Sequence, residues 1–183
     1  MLQTTPSRLL LIFAILFSMA GCASMSEKDC LTANWQDQGY RDGRDGLPLS
    51  RIEDHREACG KVGIVPDARQ YQTGRAIGIR EYCTPDRALE EGRQGRPYRN
   101  ACPANLERQF LQFHQAGKRI YDAEQYVDSL NSQSRQLQQQ LDKEKSTSKR
   151  KQLRNELRDL DRRLQRARDD VARQASSVPT PAR

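Results

Sequence analysis

The sequence predicts a mainly α-helical protein, in which a small disulfide-stapled helical domain is followed by a long helical coiled-coil hairpin. Three observations predict it. Glycines and aromatic residues recur at intervals of three and four, the spacing of one helix face. Cysteines 30, 59, 83 and 102 form an even set after Cys22. The last third of the chain carries apolar residues at coiled-coil spacing, with no Gly after Gly117 and no Pro between Pro103 and Pro179.

Residues 1–21 read as a signal peptide. Arg8 precedes an apolar run from Leu9 to Met19, which is too short to span a bilayer as a helix. Met19-Ala20-Gly21-Cys22 resembles a lipobox, with Met19 where Leu is usual. The resemblance implies cleavage before Cys22, whose thiol takes a diacylglyceryl group. Each buried CH₂ contributes ~0.8 kcal/mol, so several acyl chains (palmitate among them) make a stable anchor. By resemblance to lipoprotein sorting in Gram-negative cells, Ala23 stands where an Asp would favour the inner membrane. The expected place is therefore the outer membrane, lipid-anchored on the periplasmic side, with the outer face of the inner membrane or the cell surface as alternatives. Residues 22–28 are then the lipidated Cys and a polar tether.

A Cys-rich, glycine- and aromatic-rich helical domain is expected over 29–102. Hydrophobic residues make up 36% of the chain and charged residues 30%, so its core is small and needs staples. A signal peptide implies an oxidising compartment, and Cys30, Cys59, Cys83 and Cys102 are read as two disulfides. Three connectivities are open, and loop closure favours Cys30–Cys59 with Cys83–Cys102 as the shortest loops. The rival is a metal site. His55 and Cys59 share a helix face, but no CxxC pair accompanies them, so no metal is expected.

Trp35, Gly39 and Gly43 are spaced by four, and Tyr71, Gly74, Gly78 and Tyr82 follow at three and four. Leu89-Gly92 and Phe113-Gly117-Tyr121 repeat the pattern. Gly inside a helix costs about 1 kcal/mol relative to Ala, which close approach of another helix offsets. The competing reading is a ligand groove lined by Tyr71, Tyr82 and Tyr98. Pro66-Asp67 marks a helix start, and the stretches Asp42–Gly46 and Gly60–Gly63 read as turns.

From Cys30 to about Tyr121 the chain resembles small Gram-negative envelope lipoproteins grouped as a domain of unknown function. The resemblance is carried by Cys30, Trp35-x3-Gly39, Asp42-Gly43, Cys59, Tyr71-x2-Gly74-x3-Gly78, Tyr82-Cys83, Gly92, Tyr98 and Cys102. It implies location and architecture, and no activity.

The coiled-coil arm is expected over 103–175. One seam holds Ala123, Val127, Leu130, Ser134, Leu137 and Leu141; a second holds Leu153, Leu157, Leu160, Leu164, Ala167 and Val171. Their twelve-residue gap breaks the phase of one continuous seam. Folding back about Thr147 pairs every position, which favours an antiparallel hairpin over one long bent helix. Lys149-Arg150-Lys151 counts against it, because cations are unfavourable at a helix N-terminus. Residues 176–183 are expected to be a disordered tail.

Charge divides along the chain. Residues 22–102 carry 13 Lys+Arg and 13 Asp+Glu, whereas 103–183 carry 17 and 11. The arm's basic face suits anionic envelope surfaces. With so few aromatics and an extracytoplasmic location, no nucleic acid is expected. His55, in Glu53-Asp54-His55-Arg56-Glu57, reads as part of a solvated helix face. No catalytic motif, cofactor loop or HExxH is present. The expected function is non-enzymatic: a membrane-anchored envelope lipoprotein, periplasm-facing, acting as a structural or interaction scaffold. Its partners would be the membrane through Cys22, a protein or second copy through the arm, and anionic envelope material. The alternative is a ligand-binding module with an aromatic- and glycine-lined pocket.

Overall fold

The computed structural model describes residues 24–180. The signal segment and Cys22 lie outside the described residues. Among these the chain forms seven helices and no strand: α1 (Glu27–Leu31), α2 (Trp35–Arg44), α3 (Arg51–Gly60), α4 (Ala68–Tyr82), α5 (Pro85–Arg93), α6 (Ala104–Lys143) and α7 (Thr147–Ser176). Polar side chains start several of them. Asn34 accepts from the Gln36 and Asp37 amides, Asp67 from those of Arg69 and Gln70, and Thr84 caps α5 with Pro85 in its first turn.

Two crossed helix pairs form the body. In the first, α2 and α4 meet through Gly39, Gly43, Gly74 and Gly78. A Cβ on Gly74 would lie 1.8 Å from the Gln36 carbonyl oxygen, and one on Gly39 would lie 2.0 Å from that of Tyr71. Only glycine permits such backbone contact. In the second pair, α5 meets the first half of α6. A Cβ on Gly92 would lie 2.1 Å from the His114 oxygen, and one on Gly117 would lie 2.3 Å from that of Leu89.

The two units repeat a further device. Each first helix ends on a glycine with positive φ, Gly46 at +64° and Gly95 at +69°. In both, the following amide reaches back five residues, Leu47 to the Asp42 carbonyl (2.9 Å) and Arg96 to the Glu91 carbonyl (3.0 Å). A tyrosine from the second helix roofs each turn: a Cβ on Gly46 would strike the Tyr82 ring, and one on Gly95 the Tyr121 ring. Asp42 and Gly43, read from sequence as turn residues, belong to α2. Their turn begins only at Asp45, because the glycines are used for packing before the chain reverses.

Each unit also has its own disulfide, Cys30–Cys59 in the first and Cys83–Cys102 in the second. The cores match: Cys30, Trp35, Ile52, Cys59 and Tyr71 in one, with Tyr82, Cys83, Ala88, Cys102, Phe110 and Phe113 in the other. The body therefore runs past residue 102, where sequence reading placed the domain boundary. Phe110, Phe113, Ala116, Gly117 and Ile120 of α6 are buried and complete the second unit.

The hairpin is present, and the single bent helix is not. At 1.5 Å per residue, the 40 residues of α6 span about 60 Å and the 30 of α7 about 45 Å. Leu130, Leu160 and Ala167 are buried between them, with Val127, Leu137 and Leu164 beside them. The break falls at 144–146, two residues before Thr147. Tyr126 accordingly accepts from Arg163 (3.3 Å), where a turn centred on Thr147 would have set it against Arg168. The basic run also has a use: Arg150 donates to the carbonyls of Leu141 (2.7 Å) and Glu144 (2.9 Å), at the C-terminal end of α6. A cation there satisfies orphan carbonyls and favours the helix dipole. Past α7 the chain returns to the body, and Val178 packs against the second core, so residues 176–180 are not a free tail.

Candidate functional site

The chemistry-bearing residues of the body converge on Asp42. The helix face that presents Trp35, Gly39 and Gly43 to α4 carries Asp42 as well, leaving it 4% exposed. A buried carboxylate is costly unless it is hydrogen-bonded. Here Oδ2 accepts from His55 Nε2 (2.7 Å) and Tyr71 OH (2.7 Å), and Oδ1 accepts from Gln38 Nε2 (2.8 Å). Burial alone would raise the Asp42 pKa, but bonds from His55, Tyr71 and Gln38 outweigh it and hold the carboxyl below its ordinary value. Burial and the neighbouring carboxylate push the Tyr71 phenol far up, so it stays a donor.

His55 is fully buried on the face of α3 that also buries Ile52, Ala58 and Cys59. The solvated face expected for it is therefore wrong. The flanking Glu53 and Asp54 pair outward with Arg56 and Arg51, while the ring turns inward to a carboxylate from another helix. Its Nε2 donates to Asp42, so in the neutral ring Nδ1 accepts from Ser24 Oγ (2.9 Å). Ser24 lies in the segment read as a free tether, and Met25 packs against the first core. That segment is docked.

The equivalent acid of the second unit, Glu91, is 6% exposed and has another set of partners. Arg96 (2.7 Å) and Arg87 (3.1 Å) pair with it from the rim. Phe110 fills the core there without a hydroxyl. Tyr98 instead serves the disulfide loop: it accepts from the Cys102 amide and donates to Glu107, each at 2.9 Å. Burial, with the Glu107 carboxylate, pushes its pKa up to about 12. Arg75 rivets the two units, donating to the carbonyls of Leu47 (2.8 Å) and Ala101 (3.3 Å).

The glycine stripes serve helix packing, and the competing aromatic groove does not form. Tyr71 and Tyr82 are buried in the cores, and the glycine faces are filled by opposing backbone. A groove of about 900 Å³ lies between the units and is lined by Leu49, Arg75, Ile79, Cys83, Cys102 and Leu106 among others, not by Tyr71, Tyr82 or Tyr98. His55 and Cys59 are committed to Asp42 and to the disulfide, and no His/Cys/Asp/Glu cluster among the described residues has metal-binding geometry. No helix among the described residues is long and apolar enough to cross a membrane.

The sequence marks Asp42 only as a turn and motif residue, and it does not single out Ser24, Glu91 or Arg75. A signal existed for Asp42: it falls on the same helical stripe as Trp35, Gly39 and Gly43. For Ser24 there was none, because its partner is 31 residues away.

A disulfide-stapled, all-helical domain is the class that these features define. Residues 34–119 match the family described as "Protein of unknown function (DUF2799)". The match begins at the N-cap of α2 and ends within the second glycine crossing, so it covers both helix pairs and leaves out the hairpin. The comparisons with curated proteins and with solved structures each gave no match.

Proposed function

We propose that this is a non-enzymatic lipoprotein, anchored through Cys22 at the outer membrane and facing the periplasm, whose stapled body holds out a helical hairpin as a docking surface. One observation carries the reading. Lys151, Arg154, Arg158, Arg162 and Arg166 are all exposed on α7, three or four residues apart, and so share the face turned from the seam. Like charges at that spacing destabilise a helix by roughly 0.2–0.5 kcal/mol per pair. An anionic partner offsets that cost, and guanidinium forks fit carboxylate or phosphate groups.

The contacts Ser24–His55–Asp42 resemble a hydrolytic triad in composition. We read them as a clasp, since the ring is fully buried and packed in the first core. The test has two parts. Cys22→Ser should release the protein from the membrane fraction or leave it unprocessed. Changing Arg154, Arg158, Arg162 and Arg166 to Gln should keep helicity by circular dichroism but abolish salt-sensitive co-sedimentation with peptidoglycan or anionic vesicles. Membrane retention of a serine variant whose signal segment has been removed contradicts the anchor. Co-sedimentation that ignores both salt and these substitutions contradicts the docking face.

A further inference from the structure

We propose that the end of the body around the Cys30–Cys59 bridge is a membrane-contact surface, with Leu31 and Val65 seated in the phospholipid interface beneath the anchor. This rests on the lipid-anchor reading of Cys22. Consecutive Cα atoms are about 3.8 Å apart, so Cys22 lies within about 8 Å of Ser24. Ser24 is not a free linker residue: its hydroxyl meets the buried His55 ring at 2.9 Å, and Met25 packs into the first core. A lipid on Cys22 would therefore hold this end of the body against the bilayer, with almost no chain to spare.

That end presents the two most exposed large apolar side chains among the described residues, Val65 at 72% and Leu31 at 64%. Both flank the bridge. Leu31 follows Cys30, and Val65 follows Ile64, whose amide donates to the Cys59 carbonyl (3.0 Å); the bridged Cα atoms are 5.4 Å apart. An apolar side chain in water gains from transfer to a bilayer interface. Lys28 and Lys61 are exposed close by, but Glu27 and Asp29 balance them. Contact here is driven by apolar seating and is insensitive to salt, unlike the arginine face of α7. Clasp and contact surface together fix the body's orientation, and so fix where the hairpin points.

The test uses the full lipidated chain in phosphatidylethanolamine/phosphatidylglycerol vesicles whose acyl chains are brominated. Leu31→Trp, Val65→Trp and Ile77→Trp are made in a Trp35→Phe background. Ile77 is 49% exposed and lies about 14 Å along α4 from its start, so it serves as the control. If Trp35→Phe does not fold, Trp35 is kept and its own quenching subtracted. The expected result is a loss and blue shift of emission for the Leu31→Trp and Val65→Trp variants, unchanged by salt, with little change for Ile77→Trp. A lipidated protein in which all three positions are quenched equally, or none is, overturns the placement alone. A mature mass without lipid overturns both the anchor and the placement.

Discussion

In the first helix pair four glycines bring the backbones together, whereas in the second Gly92 and Gly117 suffice, with the buried Ala88 at the position matching Gly39. The turn glycine, the roofing tyrosine and the disulfide recur in both. The acids differ. Asp42 takes donors from α2, α3 and α4, whereas Glu91 takes arginines from the rim. The comparison teaches that backbone approach and helix capping set the repeated architecture, and that the polar lining is free to diverge. In the first unit that divergence recruits the tether, through His55 and Ser24.

The strongest way to break the comparison is to fill a crossing. Gly74→Ala should destabilise by about 4 kcal/mol or prevent folding, because its Cβ meets backbone at 1.8 Å and neither helix yields without the other. Gly92→Ala, at 2.1 Å, should do nearly the same. Gly60→Ala has nothing within 4 Å and should stabilise by roughly 0.5 kcal/mol. Thermal denaturation of the three decides whether close approach or general glycine flexibility is at work.

Next come the staples. Loop entropy assigns each bridge about 3–4 kcal/mol, and the spans of 29 and 19 residues separate them by only a few tenths. Replacing Cys30 and Cys59 by Ala should therefore cost about as much as replacing Cys83 and Cys102. A much larger loss from one pair would mean that the units are not equivalent.

The acid of the first unit gives a smaller loss than either. The Asp42 pKa is lowered on folding, so its contribution is present above the ordinary carboxylate value near 3.8 and is lost as pH falls through the lower folded value. Asp42→Asn should destabilise by about 2 kcal/mol at neutral pH and flatten this acid-limb dependence. Urea titrations between neutral and strongly acidic pH read both.

Much of this was legible beforehand because it depends on spacing. The glycine stripes, the two seams and the pairing of cysteines by shortest loop all follow from period and chain length. The hairpin turn came out two residues late because mirror symmetry of the seams was used in place of helix-end chemistry: Glu144 and Arg150 set the break. His55 was misread because its neighbours in sequence are charged, although Ile52, Ala58 and Cys59 share its inward stripe. The docking of Ser24 and the return of Val178 to the body are long-range contacts, and local pattern holds no information on them.

On this reading, a stapled body and a separately stabilised arm share one chain. Residue-resolved hydrogen exchange on Leu160→Asp tests it most directly, since Leu160 is 4% exposed in the arm seam and a charge there has no partner. Amides of α7 and of the α6 half beyond Ile120 should exchange much faster, while those of α2 and α4 keep their wild-type protection. Loss of protection in α2 and α4 to the same degree would show one cooperative unit and contradict the account.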